Sequence, residues 1–217
     1  VSAANRVRVP DPAFWPAVRR AADAAGALWI ADEVLTGVGR TGRWLALEHW
    51  GCRADIVTVG KGLSGGYAPL AAVLVGPRVA AALEDEALDH GFTFGGHPAS
   101  CAAALEVLRI IDAEGLVAAA ELRGAALLRG LKALARRVPS AGPVEGLGLL
   151  ASLGLRLDGP ARPRLERALL RRGLIAYVSE VGVTLAPPLN VSDAELASAL
   201  ERLEEGLRDF ASDGDHV

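Results

Sequence analysis

The chain of 217 residues has no methionine and only two cysteines, Cys52 and Cys101, which exclude a disulfide framework and show no metal-ligand spacing. Cys101 falls in an Ala-rich helical stretch and reads as a packed, inert thiol. The four histidines are scattered, and His97 in Gly-Gly-His-Pro reads as ordering a helix entry, so no metal is expected. Although 51% of the residues are apolar, no uninterrupted run reaches the ~20 residues needed to cross a bilayer. Charged residues appear early with no apolar stretch behind them, so nothing reads as a signal peptide. A net charge of −3, with acids and bases interspersed, offers no footprint for nucleic acid. Internal repeats and low-complexity linkers are also lacking, and a cytoplasmic globular chain is expected.

Helical and strand patterns alternate through the first half, which implies an α/β fold with a mostly parallel sheet. Residues 12–25 read as a helix with proline in its first turn, Phe14, Val18, Ala21, Ala22 and Ala25 on one face, and Gly26 as the stop. A strand then runs to Asp32, another to Lys61, and Leu70–Val75 reads as a further buried run between Pro69 and Gly76. Pro98 opens a long helix, and a second covers 116–137, with a domain boundary near Gly115. Residues 1–115 are read as part of a larger domain and 116–217 as a smaller α+β domain. In the latter, 143–157 is hairpin-like, 163–171 helical, and 174–178 a strand with a possible antiparallel mate at 182–187. Ser192-Asp-Ala-Glu195 spells a capping box, and Leu196, Leu200, Leu203 and Leu207 follow at helical period as a core stripe. The tail from Ser212 to Val217 is expected to fray.

Two charged residues stand where strands end. Lys61 closes Asp55-Ile-Val-Thr-Val-Gly-Lys61 and enters Gly62-Leu-Ser-Gly-Gly66, while Asp32 closes Ala27-Leu-Trp-Ile-Ala-Asp32. Ligands of open α/β sheets collect at the carboxyl ends of parallel strands, so the two could face one bound molecule. An amine and a carboxylate suit pyridoxal phosphate: the amine can condense with the aldehyde, and the carboxylate can keep the pyridine nitrogen protonated. The same spacing also suits a structural ion pair, and spacing alone does not separate the two.

The surrounding residues carry a resemblance. Asp32-Glu-Val-Leu-Thr-Gly-Val-Gly-Arg-Thr-Gly-Arg-Trp44, Glu48-His-Trp-Gly51, Ala54-Asp-Ile-Val-Thr-Val-Gly-Lys61-Gly-Leu, His90 through Leu105 and Leu185-Ala-Pro-Pro-Leu189 together resemble the class III aminotransferases. These are pyridoxal-phosphate enzymes of fold type I, and the resemblance covers nearly the whole chain. It implies the C-terminal part of the family's large domain followed by its small domain, with pyridoxal 5'-phosphate as cofactor. It makes Lys61 the Schiff-base lysine, Asp32 the partner of the pyridinium nitrogen and Val34 a packing residue on one ring face. Thr93 matches the threonine that reaches the cofactor phosphate of the neighbouring subunit, which implies a homodimer. An amine donor and a keto acid acceptor are the implied substrates.

Two motifs are set aside. Gly37-Val-Gly-Arg-Thr-Gly42 spells a dinucleotide fingerprint, but that motif follows its strand directly and opens a helix on its last glycine. Gly60-Lys61-Gly62 lacks the Ser or Thr that a phosphate loop places after lysine.

Full chains of the family are about twice as long, and their phosphate-binding glycine turn and ring-stacking aromatic lie in the first half. The chain is therefore expected to be a fragment, half of a split enzyme, or a reading from an alternative start. Two departures bear on substrate: Tyr177 in Gly173-Leu-Ile-Ala-Tyr177 stands where many relatives carry a carboxylate-gripping arginine, and Val144-Glu145-Gly146 replaces Val-Arg-Gly. The style of the Asp32 and Thr93 blocks resembles the ω-amine branch. An isomerase or decarboxylase using the same lysine, and an inactive remnant or dimerising half needing a second polypeptide, remain as alternatives.

Overall fold

The computed structural model describes residues 1–3, 6–84 and 90–212, so of the tail expected to fray only Ser212 lies within the described residues. The chain divides into two compact units, one of Pro10–Val117 and one of Val1–Val9 with Ala118–Val217.

The first unit opens with helix α1, Phe14–Ala24, followed by Gly26 in a left-handed conformation (φ 66°) that glycine adopts without a Cβ clash. Strand β1, Ile30–Asp32, runs parallel to β2, Ile56–Val59, with Ile30 opposite Ile56 and Asp32 opposite Thr58. Strand β3, Ala72–Val75, runs antiparallel to β2, completing a sheet of order β1-β2-β3. Its direction departs from the parallel pattern because residues 60–71 form tight turns rather than a crossover helix, and such a connection returns the chain beside β2 in the opposite sense. Helix α2, Pro77–Ala82, and helix α3, Pro98–Ala113, complete the unit, each with proline in its first turn, where no N–H is needed.

One acid ties the amino-terminal end of this sheet together. The Asp55 carboxylate accepts from the Trp29 backbone N–H and from Arg19 Nη1, both at 2.8 Å, and its carbonyl accepts from Gly76 N–H at 2.7 Å. Trp15 stacks on Trp29 at 5.5 Å between centroids, and the Arg19 guanidinium lies 5.6 Å from the Trp29 ring. The Trp29 N–H, then Arg19, hold the Asp55 carboxyl below the usual carboxylate range.

Within the run at 70–75, expected to be buried, Leu70 and Ala72 are half-buried, whereas Val73, Leu74 and Val75 are exposed at 64%, 48% and 47%. Successive strand residues alternate faces, so apolar surface is bare on both sides of β3; at the other edge of the sheet Leu28 and Ile30, the first residue of β1, are exposed as well. Val57 and Val59 of the central strand are buried.

The second unit contains an antiparallel sheet of order β4-β5-β7-β6: β4 Ala141–Leu147, β5 Leu150–Leu155, β6 Tyr177–Ser179 and β7 Gly182–Leu185. Helix α4, Leu116–Ala135, whose residues from Ala118 onward belong to this unit, and helices α5, Ala161–Arg171, and α6, Asp193–Ser212, complete it. Leu127, Leu131, Leu149, Leu153, Leu165, Leu169 and Leu203 form one fully buried core, each side chain contributing about 2 kcal/mol by removal from water. Gly124 of α4 lies against the β4–β5 turn so closely that a Cβ there would fall 2.2 Å from the Gly148 carbonyl carbon. Ser192 and Glu195 form the capping box, Ser192 N–H to Glu195 Oε2 at 2.8 Å and Glu195 N–H to Ser192 Oγ at 3.2 Å. Behind it Leu196, Leu203 and Leu207 are buried. Val7 is fully buried in this unit, its N–H donating to Ser152 Oγ at 3.1 Å.

Candidate active site

β1 and β2 are adjacent and parallel, so the loops after Asp32 and Val59 leave the sheet at the same end, opposite the Asp55 cluster. Asp32 stands in register with Thr58, and Lys61 follows Thr58 by three residues. Both charged side chains belong to exposed residues, and Asp32 Oδ1 accepts from the Val34 N–H at 3.0 Å. Lys61 opens a 3-10 turn, Lys61–Ser64, with φ 46°, left-handed and uncommon for a residue with a side chain. Val34 Cγ1 and Ala71 Cβ lie 3.6 Å from where a Cβ of Gly60 would project, so apolar side chains border the glycine that precedes the lysine.

The loop after Asp32 is a folded structure of its own. Gly37, Val38, Gly39, Thr41 and Gly42 are buried, Val38 N–H donates to the Trp44 carbonyl at 2.8 Å, and His49 Nε2 lies 2.9 Å from the Thr41 carbonyl oxygen. Burial pushes the Arg40 guanidinium below its ordinary value. Bends rather than a helix follow Gly42, and the next element is the 3-10 turn Ala46–Trp50, so the geometry of a dinucleotide loop is not formed.

Thr93 stands on another element, the exposed turn preceding α3, where Gly95 N–H donates to the Phe92 carbonyl at 2.9 Å. Tyr177 begins β6 and is 54% accessible, and Glu145 of β4 lies 3.3 Å from Arg6. Cys101, expected to be buried, is half-buried on α3. Among the described residues no three His, Cys, Asp or Glu side chains could hold a metal ion, and no helix is long and apolar enough to cross a membrane.

Residues beyond those named from the sequence also shape the site. Glu33 is 3% accessible, its carboxylate accepting from the Thr36 hydroxyl and, at 3.0 Å, from the Leu47 N–H. A glutamate beside an aspartate reads as another exposed acid; the only local signal is the threonine three residues on.

The aminotransferase class-III family profile matches residues 1–207. The chain belongs to the class III aminotransferases. A diaminobutyrate–2-oxoglutarate transaminase of Halomonas elongata is 37% identical over 217 residues, covering 92% of this chain and 46% of the relative. An acetylornithine aminotransferase of Mycobacterium bovis is 42% identical over 191 residues, covering 88% and 46%. A thermostable (S)-enantioselective omega-transaminase from Thermomicrobium roseum superposes with a TM-score of 0.89 at 38% identity, over 94% of this chain and 48% of that one. A PLP-bound amine transaminase from an uncultivated Pseudomonas species gives 0.89 at 35% identity, over 94% and 49%. The chain thus spans about half the length of these class III relatives.

Class III aminotransferases are pyridoxal-phosphate enzymes of fold type I, and the residues present suit the ring and aldehyde of that cofactor. A primary amine and a carboxylate leave adjacent strands at one end of the sheet, and the apolar Val34 side chain borders the glycine that precedes the amine.

Proposed function

We propose that this class III chain forms the lysine and aspartate side of a transamination site, exchanging an amino group between an amine or amino acid and a keto acid. The observation that carries this reading is the emergence of Asp32 and Lys61 from neighbouring parallel strands, with Val34 beside Gly60, the residue before the lysine. Pyridoxal phosphate, when bound, supplies an aldehyde that takes up the substrate amine and a ring that disperses negative charge. Lys61 Nζ would hold the cofactor through its aldehyde and would serve as the base that moves a proton at the substrate carbon. The Asp32 carboxylate accepts a hydrogen bond from the ring nitrogen and keeps its proton in place, an ionic contact that strengthens as water is excluded. Val34 packs a methyl group on one ring face. Thr93 donates its hydroxyl to the phosphate held by a second subunit, so the working form is a homodimer, in the cytoplasm.

Amines are favoured over α-amino acids as donors. Tyr177 cannot clamp a carboxylate with two parallel N–H bonds as arginine does. The (S)-selective omega-transaminase and the amine transaminase among the structural relatives support the same choice.

A second reading has one specific support. The apolar surface on both sides of β3, with exposed Leu28 and Ile30 at the start of β1, suits a chain that functions only with a second polypeptide covering that sheet. Incubation of the purified chain with pyridoxal phosphate and a primary amine, without keto acid, separates the readings. Stoichiometric formation of pyridoxamine phosphate supports the transaminase site in this chain; none, even beside a polypeptide supplying the first half of a relative, defeats it.

A further inference from the structure

The two residues with side chains and a left-handed backbone, among those described, stand in the two loops that leave β1 and β2. They are Val38 at φ 55° and Lys61 at φ 46°. For a β-branched residue this conformation costs about 1–2 kcal/mol, and such strain persists only where the surroundings over-determine it. The surroundings here begin at Glu33. Its buried carboxylate accepts from Thr36 and from the Leu47 N–H, spanning the 33–47 loop. Its carbonyl accepts from the Gly37 N–H at 2.9 Å, and a Cβ at Gly37 would fall 2.8 Å from that carbonyl oxygen, so the turn closes on glycine. The turn places Val38, 7% accessible and fixed by its N–H bond to Trp44, beside the other loop: Val38 Cβ lies 3.8 Å from where a Cβ of Gly62 would project, about one methyl group's width from that backbone. Gly62 is the residue immediately after Lys61.

We propose that Glu33 and Val38 are positioning residues for Lys61. The buried carboxylate sets the turn, and the turn braces Val38 against Gly62. That brace holds Lys61 in its left-handed conformation and so fixes the direction in which its amine leaves the backbone. Neither residue is given contact with substrate. The inference rests on the reading of Lys61 as the cofactor lysine.

The chain has two lysines, Lys61 and Lys132, the latter exposed on α4, so one serves as internal reference for the other. Wild-type chain, Glu33→Gln and Val38→Gly are each treated with pyridoxal phosphate, reduced with borohydride and peptide-mapped, with denaturation midpoints measured in parallel. The wild type is expected to label Lys61 well above Lys132, and Glu33→Gln to lower that ratio by about tenfold or more, the scale on which small misplacements act. Val38→Gly is expected to lower the ratio similarly while keeping the chain folded, because glycine adopts the left-handed conformation without strain. A merely structural role would move the midpoints and leave the ratio unchanged. An unchanged ratio in a folded Val38→Gly overturns the proposal, and this variant decides alone if Glu33→Gln does not fold. Wild-type labelling without preference for Lys61 overturns the reading of Lys61 itself, and the brace with it.

Discussion

Asp32 at the end of β1 stands directly opposite Thr58 of the parallel strand β2, three residues before Lys61. That register brings an acid and an amine from different segments to the same end of one sheet. Substitutions at each have separable consequences.

Lys61→Gly is expected to raise stability while removing function. Glycine at φ 46° relieves a left-handed strain of about 1–2 kcal/mol, less the entropy that glycine adds to the unfolded chain. Urea unfolding should show a midpoint at or above that of the wild type, whereas pyridoxamine phosphate formation should vanish. A marked fall in midpoint would show that the conformation is not strained in solution.

Asp32→Asn keeps the size and the bond to the Val34 N–H but removes the charge. Turnover, in whatever assembly is active, should drop by roughly a hundredfold or more, on the scale of other preorganised charge-stabilising contacts. Cofactor retention should fall less. Steady-state rates against equilibrium binding separate the two effects, and an unchanged rate would remove Asp32 from the mechanism.

Asp55 sets an acid limit on the first unit. Its folded-state carboxyl is held below the usual range by the Trp29 N–H and then by Arg19, so it binds fewer protons folded than unfolded. Its contribution is present above the unfolded value of about 3.9 and is lost as pH falls through the lower folded one. Asp55→Asn should therefore be less stable than the wild type near neutrality, with the difference shrinking in acid. Denaturation midpoints from neutral pH downward check this, and a constant difference would contradict it.

Gly124→Ala sets helix propensity against packing. Alanine should gain about 1 kcal/mol within a helix. Here its Cβ would fall 2.2 Å from the Gly148 carbonyl carbon, a backbone atom. The clash should win, with a net loss of about 1–3 kcal/mol in thermal or urea unfolding. A stabilised variant would show that α4 and the β4–β5 turn do not approach this closely.

Lys61 and Asp32 stand out in the sequence because each ends an apolar run, and the structure places each at or just beyond the end of a strand. The capping box at Ser192 and the leucine stripe of α6 are equally legible, since both depend on residues within a few positions of one another. The direction of β3 is not, because its strand pattern is the same whichever way it runs. Its exposure is hidden too: the apolarity of Val73, Leu74 and Val75 states what the strand prefers and not what covers it. Glu33 is hidden for a different reason. Its burial depends on the N–H of Leu47, fourteen residues on, and no local periodicity marks that contact.

The most direct test of the central claim is the visible spectrum of the purified chain with pyridoxal phosphate, followed by borohydride reduction and identification of the lysine that carries the label. A visible band that disappears on reduction, with the label on Lys61 and little on Lys132, is the expected result. No band, or label shared evenly between the two lysines, would contradict the assignment of the cofactor to the loop after β2.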